Sequence, residues 1–183
     1  MSTEVRLGPI SHLVLGIIAI RGPSTPYDLK RFVQLGVAHF WPFPHTQLYA
    51  EPKRLADAGL LDETREQSGR RRRHYAITET GRQRLTEWLS EPVATATEIR
   101  DAGLLKLFFA ELAEPDSIRA LAHAQATSQR AQLARYQAIL ERYRDQPQLA
   151  PRVLPAELGA RVSRAAAEFW EDILERETRA DAA

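Results

Sequence analysis

Residues 56–80 of this 183-residue chain read ADAGLLDETREQSGRRRRHYAITET. Gly59 is a typical helix end, and stretches 60–66 and 72–77 predict two strands on either side of a polar tip. The tip carries four consecutive arginines at positions 70–73, and Thr78 is a suitable cap for a following helix. This order predicts a β-hairpin wing behind a helix-turn-helix. A compact cation cluster needs an anionic partner, and DNA is the leading candidate.

The composition limits the classes of protein that fit. There is no cysteine, which excludes disulfides, thiol catalysis and cysteine-ligated metal. The apolar fraction of 44% and the charged fraction of 27% are typical of soluble globular proteins. The apolar run at 13–20 is far below the ~20 residues that cross a bilayer, and no secretory leader pattern begins the chain. We therefore expect a cytoplasmic protein without a membrane partner.

Charge is distributed unevenly along the chain. Residues 1–92 contain 13 Lys and Arg against 10 Asp and Glu, whereas residues 93–183 contain 12 against 14. The first half is therefore the more plausible nucleic-acid surface, although the asymmetry is too small to carry that argument without the wing.

Three helices are predicted ahead of the wing. The first follows Gly8-Pro9, with Ser11 as its expected cap, and the second follows a cap at Ser24 or Thr25. The expected buried side of the second helix comprises Tyr27, Leu29, Phe32 and Val33, and Gly36 fits its end. The third runs from about 45 to 58, with Leu48, Leu55 and Ala56 facing inward. Inside it Pro52 removes a hydrogen-bond donor, which predicts a bend or a short non-α turn.

The second half predicts helices only. After a small-residue linker at 93–97, apolar spacing predicts one helix over 99–112 and a long helix over about 116–144. A connector at 146–155 then leads to a last amphipathic helix that ends near residue 179. Long helices of this kind rarely fold alone, so they predict a dimerisation arm. The expected fold is mainly α: a winged helix-turn-helix with a two-stranded wing at 1–92, then a helical dimerisation domain at 93–183.

The chemistry of DNA reading assigns roles to the third helix and the wing. A winged helix-turn-helix places its third helix in the major groove and its wing against the backbone or the minor groove. Thr46 and Gln47, at the start of that helix, are placed for base edges, and Gln can pair with adenine through two hydrogen bonds. The residues expected at phosphates are Tyr49, Lys53, Arg54, Arg70, Arg71, Arg72, Arg73 and His74. Because side chains alternate along a strand, we expect about two of the four arginines, with His74, to touch one DNA surface.

An enzyme is not expected from this sequence. His39 and His45 lack a carboxylate at ligand spacing, so no metal site is predicted. No serine has the context of a nucleophile elbow, and no glycine-rich phosphate loop is present. We therefore predict neither catalytic residues nor a cofactor.

Two other binding functions compete with DNA recognition. In the first, the chain is a protein-interaction module whose basic wing binds an acidic protein. In the second it binds RNA, which usually relies on exposed aromatic side chains for stacking, and the wing tip has none before Tyr75. Strong binding to one defined DNA site, absent for scrambled DNA, distinguishes the DNA-reading function from the protein-interaction module.

The order and spacing of several short motifs resemble the PadR family of transcriptional regulators over residues 13–89. These motifs are Tyr27-Asp28-Leu29, Phe40-Trp41-Pro42-Phe43, Gln47-Leu48-Tyr49, Lys53-Arg54-Leu55, Ala58-Gly59-Leu60 and the wing end at 75–81. In the second half, Arg100-Asp101 and residues 105–109 resemble the helical domain of the virulence-activator-like branch. Pro52 departs from many relatives, which carry an ordinary helix former there.

The resemblance implies a homodimer with embracing C-terminal helices that binds an inverted repeat in double-stranded DNA, usually as a repressor. Two half-sites about one helical turn apart follow from a two-fold axis. Some relatives sense small aromatic or hydrophobic molecules near the dimer interface, so release by such an effector is a further expectation. The aromatic candidates for lining an effector pocket are Trp41, Trp88, Tyr136, Tyr143, Phe169 and Trp170. Core packing is the role that we favour for each of them.

Overall fold

The computed structural model describes residues 5–35, 37, 40, 41, 44–67, 71–95 and 98–181. The chain divides into two compact units, Met1–Thr95 and Ala96–Ala183. The N-terminal unit contains α1 (Pro9–Arg21), α2 (Pro26–Leu35), α3 (His45–Asp57), β1 (Leu61–Arg65), β2 (Arg73–Ile77) and α4 (Glu79–Ser90). None of the helices in these described stretches is both long and apolar enough to cross a membrane.

The core of the N-terminal unit forms around α1, which contacts α2, α3, α4 and β2. In this core, the apolar side chains of α1 pack against apolar side chains from each neighbouring element. The buried core residues are Val14, Leu15, Ile17, Ile18, Leu29, Val33, Leu48, Leu55, Leu60, Leu61, Tyr75 and Leu85. Since α3 supplies Leu48 and Leu55 to this core, its opposite face is left towards solvent.

Local signals fix the ends of the elements that surround the wing. Gly59 has φ +74°, the left-handed conformation that ends a helix. Thr25 caps α2 in a reciprocal arrangement: its hydroxyl accepts from the Asp28 amide at 3.3 Å, and its amide and hydroxyl donate to the Asp28 carboxylate at 3.0 and 2.7 Å. Thr78 caps α4, accepting from the Gly81 amide at 3.0 Å. These three predictions from sequence are confirmed.

The wing is an antiparallel hairpin whose register runs from Leu61 opposite Ile77 to Arg65 opposite Arg73. Its second strand is tied to the chain between α1 and α2, because Ser24 and Tyr75 exchange backbone hydrogen bonds of 3.0 and 2.9 Å. At the base of the hairpin, α4 begins close to the C-terminal end of α3. A Cβ on Gly81 would lie 2.2 Å from the Leu60 carbonyl oxygen, so only glycine fits there.

Thr78→Ala should lower the free energy of unfolding by about 1 kcal/mol, because it removes the side-chain cap of α4. The Thr78 hydroxyl also donates to the Gly59 carbonyl at 2.9 Å, so the two helix ends are affected together. Urea unfolding followed by circular dichroism measures the loss. Thr86→Ala on the exposed side of the same helix is the control. Equal stabilities of the two variants would contradict the capping role.

Three details of the N-terminal unit differ from expectation. Tyr27 is 66% exposed, so it is not on the buried side of α2. The cap position of α1 is Gly8, and Ser11 instead accepts from the Gly8 amide while its hydroxyl donates to Glu51, a long-range partner. No non-α turn occurs at Pro52, which is fully buried within a continuous α3. Burial of the ring and of Leu48 and Leu55 offsets the missing hydrogen bond. Gly36, expected at the end of α2, lies outside the described residues.

The C-terminal unit consists of helices. They are α5 (Ala102–Phe108), a 3₁₀ turn (Ala110–Leu112), α6 (Pro115–Arg142), a second 3₁₀ turn (Pro147–Leu149) and α7 (Ala150–Asp181). Helices α6 and α7 pack along their lengths through two clusters, one around Trp170 and one around Leu133, Tyr136 and Ala160. Gly159 lets them approach, because a Cβ there would lie 2.5 Å from the Tyr136 ring.

Two predicted segments of this unit were wrong. The single helix over 99–112 is instead α5 and a 3₁₀ turn, because Asp101 accepts from the Gly103 amide at 2.6 Å and starts the helix later. The predicted connector at 146–155 is mostly helical, since α7 begins at Ala150 and contains Pro155. One missing donor does not stop this helix, whose next turns pack Ala156 and Ala160 against α6.

Candidate nucleic-acid interface

The outer face of α3 presents a row of exposed polar side chains. Thr46, Gln47 and Tyr49 are exposed, whereas Leu48 between them is completely buried. Because Leu48 and Leu55 anchor one side of the helix in the core, the side chains at its start are held outward on a rigid element. Donors and acceptors in this position can reach base edges in a groove of DNA.

The two cations further along α3 differ in their surroundings. Lys53 pairs with the exposed Asp57 one turn later. Arg54 reaches inward: its Nε and Nη2 donate to the two carboxylate oxygens of Glu51 at 3.0 and 2.6 Å. Nη2 also donates to the Ser11 hydroxyl at 3.0 Å. Both cations were assigned to phosphates from sequence, and that role stays a prediction.

The cationic residues of the wing differ in whether a carboxylate pairs with them. Arg71 and Arg72 are exposed, and neither takes part in an ion pair with a residue that the structure describes. Arg71 has φ +47°, so the chain turns sharply at this point. Arg73 and His74 face carboxylates instead, at 3.5 Å from Glu63 and 3.1 Å from Glu66. Arg70 lies outside the described residues.

The wing carboxylates are held in their charged form. Loss of hydration raises the pKa of Glu63, but Arg65, Arg73 and Lys53 together outweigh it and leave the pKa below its usual value. The hydrogen bond with His74, helped by the Arg72 amide at 3.3 Å, lowers the pKa of Glu66. These anions offset part of the wing charge, and Glu66 offsets part of that of Arg72 as well, although neither Arg71 nor Arg72 forms a direct ion pair with a described residue.

Helix and wing lie close enough to act as one surface. Glu63 on β1 responds to Lys53 on α3 as well as to Arg73 on β2, so these groups are within electrostatic range of each other. The backbones of α3 and β1 also contact each other. The structure thus places Lys53 of α3 near Glu63 and Arg73 of the wing strands, and the DNA-contacting role of the predicted residues stays a prediction.

Sequence reasoning missed four partners of the predicted cations: the buried Ser11 and Glu51, and Glu63 and Glu66 on the wing. The pairing of Glu66 with His74 could have been found, because hairpin register places both beside the tip. Glu51 and Arg54 share the three-residue spacing of a helical ion pair. No local signal joins Ser11 to them, since that contact spans 40 positions of sequence.

The aromatic candidates for an effector pocket occupy different environments. Tyr136 and Trp170 are buried between α6 and α7, Phe169 makes an edge contact with Trp170, and Tyr143 is half-buried. In the N-terminal unit Trp41 is half exposed, and Trp88 stacks on His12 with ring centroids 4.4 Å apart. Their ligand role stays a prediction.

A groove of about 550 Å³ lies in the C-terminal unit beside α5 and the start of α6. Its lining is apolar apart from one lysine and one serine, and none of the six aromatic candidates contributes to it. The residues that define it are Leu105, Lys106, Phe109, Leu112, Ser117, Ile118 and Leu121. Among the described residues, no group of three His, Asp or Glu side chains is arranged to hold a metal ion.

Each half of the chain matches a known family model. Residues 14–87 match the transcriptional regulator PadR-like family, and residues 99–177 match the virulence activator alpha C-terminal family. The negative transcriptional regulator PadR of Bacillus subtilis (strain 168) is 26% identical over 102 residues. That match spans 55% of this chain and 56% of the relative, so it covers little more than half of the relative's length.

Solved structures share the fold over nearly the whole chain. Bacillus subtilis PadR in complex with operator DNA superposes with a TM-score of 0.82 at 22% identity, over 92% of this chain and 98% of that one. The same regulator in complex with p-coumaric acid gives a TM-score of 0.79 at 21% identity, over 92% and 98%.

These likenesses establish a mainly α fold with an N-terminal winged helix-turn-helix, a two-stranded wing and a C-terminal helical region. The matched family consists of transcriptional regulators and not of enzymes. The chain therefore has a region at residues 14–87 that matches the PadR-like family of transcriptional regulators, followed by a region at residues 99–177 that matches the C-terminal part of the virulence activators.

Proposed function

We propose that this chain is a sequence-specific, double-stranded DNA-binding repressor that acts in the cytoplasm as a homodimer on an inverted repeat. Residues 1–92 form the DNA-binding domain and residues 93–183 the dimerisation domain. In this proposal α3 is the recognition helix: Thr46 and Gln47 read base edges, while Tyr49, Lys53 and the wing contact phosphates. Phosphate contacts set the register on the duplex, and base contacts set the sequence preference.

One observation supports DNA as the partner above all others. On the N-terminal unit, an exposed polar row on a core-anchored helix lies next to a wing with two exposed arginines that lack carboxylate partners among the described residues. Neutral donors and acceptors beside unpaired cations match the needs of a duplex, whose groove edges lie between rows of phosphates. Bacillus subtilis PadR, which shares this fold, has been solved in complex with operator DNA.

The proposal also includes repression of transcription and release of the protein from DNA by a small-molecule effector. The Bacillus subtilis relative is a negative regulator, and it also forms a complex with p-coumaric acid. In this chain the apolar groove with Lys106 has the composition that suits a small hydrophobic acid. An effector would release DNA only by binding the DNA-competent and DNA-incompetent dimers with different affinity.

Gln47→Ala should weaken binding at the correct operator by about 1–3 kcal/mol and relax sequence preference there, because two hydrogen bonds to one base are lost. Fluorescence anisotropy with operator variants measures both effects. Gln83→Ala, which truncates an exposed glutamine on α4, is the matched control. An equal loss on operator and scrambled DNA would show that Gln47 does not read a base.

If the protein is a homodimer, its mass in solution at micromolar concentration should be twice that of the 20.7 kDa chain. Sedimentation equilibrium of the full chain measures it. Deletion of residues 151–183 should then give monomers, although it also removes nearly all of α7 and its contributions to both α6–α7 clusters. Full-length chain is therefore the decisive sample, and a mass of one chain at all concentrations would overturn the dimer.

A further inference from the structure

Three polar side chains join the start of α1 to α3 within the N-terminal unit. The Ser11 hydroxyl donates to Glu51 Oε1 at 2.6 Å, and it accepts from the Gly8 amide and from Arg54 Nη2, each at 3.0 Å. One donor and two acceptor positions are all that a hydroxyl has, so that of Ser11 is fully used. Arg54 completes the network through its two-pronged contact with Glu51.

Burial makes this network costly to break. Ser11 is 1% exposed and Glu51 is 8% exposed, whereas the Arg54 side chain that pairs with Glu51 is 44% exposed. Burial raises the pKa of Glu51, but the hydrogen bonds from Arg54 and Ser11 outweigh it and leave the pKa below its usual value. The carboxylate is therefore charged, and its nearest counter-charge is Arg54. Losing one partner of such a pair leaves an uncompensated buried charge.

The network surrounds the weakest point of α3. Pro52 lacks the amide that would bond to the Leu48 carbonyl, so one backbone hydrogen bond of the helix is missing there. The two partners of the ion pair, Glu51 and Arg54, flank Pro52 in the sequence. They therefore brace the helix where its own backbone is interrupted, about one turn after the base-reading positions Thr46 and Gln47.

We propose that Arg54 is a positioning residue and not one of the cations that attract DNA: with Ser11 and Glu51 it clamps α3 to the start of α1. The proposal rests on α3 being the recognition helix. An arginine whose charge is already neutralised by a buried carboxylate releases few counterions when DNA binds. The clamp acts instead on sequence preference, because a shift of α3 displaces the side chains that face the bases.

The test compares three variants at the clamp with two at the wing. Arg54→Lys keeps the charge but cannot form the two-pronged contact, so the clamp predicts that it behaves like Arg54→Gln. Both should lose about tenfold in operator affinity, the effect of one lost charged hydrogen bond, with an unchanged salt dependence. Glu51→Gln should show the same loss. At the wing, Arg72→Gln should weaken binding to all DNA and flatten the salt dependence, and Arg72→Lys, which keeps the charge, should retain the salt dependence and lose less affinity than Arg72→Gln.

Opposite results would overturn the proposal. If Arg54 is a DNA-attracting cation restrained by Glu51, Arg54→Lys would match the wild type and Arg54→Gln would flatten the salt dependence. Glu51→Gln would then tighten binding to operator and scrambled DNA alike. All anisotropy titrations are run on full-length protein at a temperature where circular dichroism shows each variant folded.

Hydrogen exchange without DNA separates the clamp from the proposed function. The clamp predicts faster exchange of the amides of Gly8, Ser11 and His12 in all three clamp variants, and no change in the two wing variants. Unchanged exchange in every variant would overturn the clamp, whatever the DNA titrations show. If the wild type fails to distinguish operator from scrambled DNA while exchange responds as expected, the clamp stands as a structural device and the proposed function fails.

Discussion

Trp170→Ala should lower the free energy of unfolding of the C-terminal unit by about 3–5 kcal/mol. The indole is 1% exposed and lies between α6 and α7, against Ala122 and Ala126. Small residues on α6 leave room for this one large side chain, so its removal opens a cavity that the helices cannot easily close. Urea unfolding followed by circular dichroism at a fixed protein concentration measures the loss.

The neighbouring residue provides the matched control. Phe169 is also aromatic and also on α7, but it is 41% exposed. Phe169→Ala should therefore cost much less than Trp170→Ala, since less apolar surface returns to water. Comparable small losses would contradict the core role of Trp170 and would favour its other candidate role, in a ligand pocket.

Replacing Arg71 and Arg72 together with alanine should reduce affinity for every DNA sequence. Each lost phosphate contact makes the dependence of log affinity on log salt shallower by about 0.9, and a dimer with two wings loses four contacts. The expected change in slope is therefore about 3.6, and affinity at 0.15 M salt should fall by roughly two to three orders of magnitude. Fluorescence anisotropy across a salt series gives both values.

A charge-matched variant controls for the change in net charge. Arg152→Ala with Arg176→Ala removes two exposed arginines from α7 and alters the total charge equally. Its salt dependence should stay close to that of the wild type. An unchanged affinity and slope in the wing variant would show that the wing does not contact DNA.

Short-range signals are the reason that the N-terminal unit was predictable from sequence. Gly59 ends α3 and Thr78 starts α4 through contacts within a few residues, and the strands between them are set by the same hairpin. The motifs that resemble the PadR family lie in this same part of the chain, and the family match confirms them.

An overlooked local cap and long-range packing account for the wrong predictions. Apolar spacing alone extended the helix over 99–112, but the Asp101 cap and the turn after Phe108 divide that segment. Pro155 argued for a connector, yet packing on α6 outweighs one missing hydrogen bond. Ser11 was expected at the cap position of α1, whereas it lies three residues later, where its hydroxyl accepts from the Gly8 amide and also donates to Glu51 on another helix.

DNA selectivity is the central claim, and one titration tests it most directly. Purified full-length protein is measured by fluorescence anisotropy against DNA from upstream of its own gene and against scrambled DNA, across a salt series. The account predicts selective binding to the upstream DNA with two protomers per duplex. Equal and steeply salt-dependent binding to both DNAs would contradict it and leave only a basic patch, for which an acidic protein would be the next partner to test.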